Sequence, residues 1–135
     1  MTPTLTAFTG FIAWSLFLLV LMEAIRSKLV LTGAVPANGF RPDNSNLSPF
    51  MQRLARAHAN CVEGLPLIGG LMLVAVLAGK SEVTDPLAFT FLGARILQSV
   101  LHLSSLSPAA VTLRFTAFAV QMGIGMYWAF RLLAA

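Results

Sequence analysis

Four long apolar runs alternate with polar stretches along the chain, and each run is opened by a capping side chain followed by proline: Thr2-Pro3, Ser48-Pro49, Asp85-Pro86 and Ser107-Pro108. A Ser, Thr or Asp oxygen accepts a bond from an orphan amide at a helix start, and proline at the first helical position forfeits no hydrogen bond there. The pattern predicts four helices, over about 3–31, 49–78, 86–106 and 108–133, with Gly79 closing the second. Each is long enough to cross a hydrocarbon layer of about 30 Å with some tilt. The connection over about 32–48 is long and polar, with Pro36, Asn38, Gly39, Pro42, Asp43 and Asn44, whereas the other two are short.

Composition turns this pattern into a membrane assignment. Of 135 residues, 57% are hydrophobic and 10% charged, and the mean hydropathy is +0.80; soluble domains carry roughly a quarter charged residues. The expected fold is therefore all-α, an integral membrane four-helix bundle forming a single domain over 1–135, with no room for a large extramembrane domain. The net charge of +4 comes from nine basic and five acidic side chains scattered singly, which excludes the basic blocks that bind nucleic acid. Cys61 is the only cysteine and cannot form an internal disulfide. The N-terminal run lacks a positive flank and is expected to be a retained helix rather than a signal peptide. Arg26, Lys28, Arg41, Arg53 and Arg56 flank or lie within the first loop. The positive-inside rule makes that loop cytoplasmic and puts both termini on the opposite side, periplasmic for a bacterial inner membrane.

Ionisable groups within the spans are costly, roughly 2.5 to 3.5 kcal/mol each at mid-membrane on insertion scales, and so are the informative positions. In the second helix Arg53, Arg56, Asn60 and Glu63 recur at steps of three and four, on one face. Arg53 suits a snorkelling role; Arg56, Asn60 and Glu63 suit a ligand site. His58 lies about 200° around the helix from Arg56 and points away from that face. In the third helix Arg95, Gln98 and His102 form a second polar stripe, and the fourth offers Arg114, Phe118, Gln121, Gly125 and Trp128 at similar spacing. Lipid would reject such faces, so they are expected to meet protein or water. Glu23 and Arg26 form an i, i+3 pair near the end of the first helix. Most of these groups lie toward the first loop, which implies a pocket of several arginines, one carboxylate, amides and an imidazole beside apolar walls. Such a pocket suits a small zwitterion with carboxylates and an amine, next to a lipophilic second ligand. No metal site is expected, because His58, Cys61 and His102 share no ligand spacing. A nucleophilic Cys61–imidazole dyad is the weaker alternative to Cys61 as core packing.

The run RAHANCVEGLP, Arg56 to Pro66, followed one helix later by ARILQSVLH, Ala94 to His102, resembles the membrane-associated proteins in eicosanoid and glutathione metabolism. The specific part is the Arg-Ala-x-x-Asn-x-x-Glu core with proline three residues after the glutamate. The resemblance implies a four-helix membrane fold, a homotrimer, and glutathione sites between neighbouring subunits toward the cytoplasmic side. By residue, it implies that Arg56 holds a glutathione carboxylate, Asn60 is a polar contact, Glu63 meets the amino group, and Arg95 and Arg26 are the arginines of the third and first helices. Gln98 and His102 stand where the third-helix motif has tyrosines, and Gly64 stands where many members carry one after the glutamate. His102 is either a hydrogen-bonding substitute for a tyrosine or a satisfied polar group. Arg114 is the candidate for stabilising the glutathione thiolate, since a nearby cation lowers a thiol pKa from about 8.5.

The implied function is a membrane-bound glutathione-dependent transferase or peroxidase acting on a lipophilic electrophile or hydroperoxide that arrives from the bilayer. Two alternatives remain: a small proton-coupled transporter, and a membrane protein that binds glutathione or lipid without turnover. Small four-helix exporters rely on a lone glutamate in the middle of helix one, whereas here Glu23 lies near an end beside Arg26.

Overall fold

The computed structural model describes all residues, 1–135, and is all-helical. Helix α1 spans Pro3–Leu31, α2 Pro49–Leu77, α3 Ser81–Ser104 and α4 Pro108–Ala134. All four are long and apolar enough to cross a membrane. Three of the four anticipated caps form: Thr2, Ser48 and Ser107 each accept from the amide three residues on, with proline at the first helical position. The helices ahead of the first two connections end alike. Gly33 and Gly79 adopt left-handed conformations, φ 75° and 67°. The next amide then reaches back to the helix, Ala34 N–H to Leu29 O at 2.9 Å and Lys80 N–H to Ala75 O at 2.7 Å. This closure satisfies carbonyls the last turn would leave orphaned.

The Asp85-Pro86 pair is the exception. The third helix was expected over about 86–106 but runs Ser81–Ser104, with Pro86 inside it. Asp85 does not cap its own helix: its Oδ1 accepts from the Thr4 amide at 3.0 Å and from the Thr4 hydroxyl, while Thr4 Oγ1 and Thr84 Oγ1 lie 2.7 Å apart. This staple, with Val83 and Thr84 buried beside it, holds the extra turn against α1. Proline has no amide to give there, but only one intrahelical bond is lost, near an exposed end.

In α2, Pro66 likewise lacks the amide that would bond back one turn, and the helix widens into a π-helical turn at Leu65–Gly69 before resuming at Gly70–Leu77. The core is an aromatic chain across three helices: Phe11 of α1 lies 5.5 Å from Phe91 of α3, which lies 6.0 Å from Trp128 of α4. Leu18, Leu54 and Met72 are fully enclosed around it. Outer faces bear Leu16, Phe17, Val20, Val74, Phe115 and Phe130, a surface suited to lipid rather than water. The first loop is held by Asn44, fully buried at φ 56°. Its side-chain amide donates to Met51 O at 2.7 Å, and its Oδ1 accepts from Arg26.

Candidate functional site

The polar stripes of α2, α3 and α4 converge on a groove that runs between α2 and α4 with α3 behind it. Its central cavity, about 180 Å³, is lined by Asn60, Glu63, Gly64 and Leu67 of α2, Arg95 of α3, and Phe118 and Met122 of α4. Toward the first loop it meets a cavity of about 260 Å³ that shares Asn60 and Phe118 and adds Gln98 and Arg114. Toward the other leaflet it meets an apolar cavity of about 310 Å³ that shares Leu67 and Met122 and adds Ile68, Leu71 and Met126. The groove thus passes from polar to ionic to apolar along one helix seam. Glu63 is at the midpoint of the Pro49–Leu77 span, deeper than a position toward the first loop.

Arg95 is the most unusual group in the molecule. It is 1% exposed, its guanidinium lies 5.5 Å from the Phe11 ring centre, and its Nε and Nη2 have no hydrogen-bond partner. Glu63 lines the same cavity without pairing to it, since the chain's one ion pair is Arg26–Glu23 at 3.1 Å. Behind Arg95, Ser99 Oγ donates to the Arg95 carbonyl at 3.1 Å and lies 3.6 Å from Cys61 Sγ. Cys61 is fully buried there, in the hydrophobic core. Gln98 is buried and its Oε1 accepts from Gln121 Nε2 at 2.9 Å, which fixes the amide and leaves its own N–H groups for another acceptor. His102, one turn further, is buried with Nδ1 unpartnered.

Other anticipated residues are placed differently. Arg56 is exposed one turn before Asn60 and lines a separate crevice with Pro42 and Asp43. The Ser45 amide and hydroxyl hold the Asp43 carboxyl below the usual carboxylate range, so it stays ionised near Arg56. Arg53 donates from Nε to Leu103 O at 3.1 Å, tying α2 to the end of α3. Arg26 is not brought to the groove. Its Nε and Nη2 donate to Asn44 Oδ1, Nη1 to Glu23, and Nη2 also to Arg41 O. His58 is half-buried and lines none of these cavities. Phe11, which backs Arg95, has no polar side-chain atom and so gave no chemical signal in the sequence, whereas Gly64 stood out there only as a missing tyrosine.

A family model described as the MAPEG family matches residues 4–134. The chain belongs to the MAPEG family. MAPEG proteins are the membrane four-helix bundles of glutathione and eicosanoid metabolism that the Arg56–Pro66 run resembles, and the four spans agree with that membership. No curated protein and no solved structure matches the chain. Glutathione, the ligand associated with the MAPEG family, carries two carboxylates, one ammonium and a thiol. The donor set fits it: a buried arginine that lines the cavity without an ion-pair partner, a carboxylate in the same cavity, two amides and a second arginine at the polar end.

Proposed function

We propose that this MAPEG protein is a glutathione-dependent transferase with peroxidase capacity, working as a homotrimer in the membrane. One observation carries the proposal: an enclosed, unpaired arginine, Arg95, faces a cavity that also holds Asn60 and Glu63. An unpaired buried cation costs several kcal/mol, and an anionic ligand is the partner that removes the cost. Glu63 supplies the counter-charge for the ligand's ammonium, Asn60 and Gln98 hold its amide groups, and Arg56 reaches a carboxylate from the neighbouring crevice. Glutathione supplies the nucleophilic sulfur when bound. Arg114, at the polar end of the groove, favours the thiolate there. The apolar cavity at Leu67, Leu71 and Met126 is the approach for a lipophilic electrophile or hydroperoxide from the bilayer.

The decisive experiment uses the purified protein in detergent. Glutathione binding is measured by calorimetry, the thiolate by its ultraviolet absorbance, and turnover with an aromatic electrophile and a lipid hydroperoxide. Binding with a thiolate band and turnover is expected. Binding alone would leave a glutathione-binding membrane protein, consistent with Gly64, Gln98 and His102 standing where tyrosines are common. Absence of both would overturn the proposal. Proton-coupled transport is disfavoured by the Glu23–Arg26 pair, which occupies the only acid of α1.

A further inference from the structure

The apolar cavity between α2 and α4 has neither a polar nor an aromatic side chain in its lining. Leu67 and Leu71 form one wall, Met122 and Met126 the other, each pair one turn apart, and the lining of α4 continues to Ala129, about 10 Å along the helix axis from Met122. The two ends of α4's wall face different surroundings: Met122 also lines the ionic cavity with Glu63 and Asn60, whereas Met126 is exposed on the outer surface of the spans. Between the walls, the surface contributed by α4 is backbone. Gly125 is buried and lines the cavity, and a Cβ there would stand 2.5 Å from Ile68 Cδ1, closer than side chains pack. Ile68 in turn belongs to the widened π-helical turn of α2, a local geometry that recurs at functional sites. A side chain at 125 would therefore enter the cavity itself or drive the end of Ile68 aside.

The lining decides the shape of the occupant. Leucine and methionine walls offer aliphatic and thioether contacts that adapt to a flexible chain, and there is no ring face on which a flat aromatic ligand could stack. The seam also follows the helix axes, the direction in which acyl chains lie in a bilayer. We infer that Gly125 is a specificity-determining residue: by having no side chain opposite Ile68 it keeps open a channel for one unbranched acyl chain of the lipophilic ligand, whose reactive end then lies at Met122, beside the ionic cavity. The inference deepens the proposed function and rests on it for the reaction, but not for the fit of an acyl chain.

The test is ligand binding to the full chain in one detergent, comparing wild type, Gly125→Val and Leu71→Trp, with helix content and assembly size checked for each. Three glutathione conjugates are used, carrying an S-methyl, an S-hexyl or an S-cyclohexyl group. Burial of each methylene is worth about fourfold in affinity, so wild type is expected to bind the S-hexyl conjugate at least tenfold more tightly than the other two. Gly125→Val is expected to bring that preference to within about twofold. The atom its Cβ meets is the end of a side chain, which one rotation can move. Leu71→Trp, which fills the same cavity from α2, carries the test if Gly125→Val does not fold. A wild type without the S-hexyl preference, or variants that keep it, would overturn the inference. If wild type binds no conjugate, the proposed function fails, and a linear fatty acid with a diazirine on its terminal carbon decides the channel separately. Photolabelling concentrated on Leu67–Leu71 and Met122–Ala129 in wild type and lost in Gly125→Val supports it; labelling spread evenly to the outer-face residues Phe115 and Phe130 sinks it.

Discussion

Glu63 and Arg95 line one cavity with opposite charges yet do not pair, which is the arrangement needed to bind a zwitterion between them. Neutralising Glu63 without changing its shape tests this directly. Glu63→Gln removes a charged partner worth about 1.5 to 3 kcal/mol, so glutathione affinity measured by calorimetry should fall roughly 10- to 100-fold; an unchanged affinity would remove Glu63 from the site. Arg114 has a different expected signature. Arg114→Gln should leave affinity closer to wild type, raise the apparent pKa of the bound thiol toward its ordinary value of about 8.5, and lower kcat at neutral pH, all read from the thiolate absorbance and rate across pH. At this scale the sequence was partly legible. Steps of three and four placed Arg56, Asn60 and Glu63 on one face and Arg95 and Gln98 on another, but spacing cannot tell which donors are free. Arg26 is occupied because Asn44, 18 residues away, turns into the core to meet it, and Arg95 is enclosed with no ion-pair partner although Glu63 lines the same cavity.

At the level of helices, the cap-and-proline pairs were dependable where the capping residue had no competing partner. Thr2, Ser48 and Ser107 are followed closely by the amides they cap. Asp85 looks the same in sequence, and only Thr4, 81 residues earlier, turns it into a link between helices. The π-helical turn was equally hidden, because Pro66 could as well have produced a simple kink. The link makes a prediction about stability rather than binding. Asp85→Ala leaves the buried Thr4 hydroxyl with Thr84 alone and frees the Thr4 amide, which should cost about 1 to 3 kcal/mol. It should appear as a lower midpoint of thermal unfolding in detergent, with glutathione affinity little changed because the staple is at the end of the bundle away from Arg114. If Asp85 merely capped its own helix, Thr4→Val would leave stability unaltered; a comparable loss from Thr4→Val and no further loss in the double variant would establish the link.

For the whole molecule, the question is what covers the polar face of α2. Glu63 is exposed at the centre of the span and Arg56 is exposed seven residues, or about 10 Å, nearer its start. Facing lipid at mid-span, Glu63 alone would cost roughly 2.5 to 3.5 kcal/mol on insertion scales, a large part of the stability of a chain this small. Neighbouring helices of the same chain do not cover them, so water or another protein surface must. A second copy can supply one, since each chain carries both the charged face of α2 and the free outer face of α1. Closed cyclic symmetry lets every copy cover the next without leaving a charged edge. Of the closed assemblies, the trimer is the one the proposed function names, and a trimer of the 14.5 kDa chain is expected in mild detergent, detected by native mass spectrometry and by a cross-linked ladder that stops at three. Replacing Arg56 and Glu63 together with leucine should leave the isolated helices more compatible with lipid while abolishing glutathione binding. A wild-type protein that stays monomeric and folded in bilayers, with Glu63 reactive to a lipid-soluble carbodiimide, would show that lipid or water, not a neighbouring copy, meets this face.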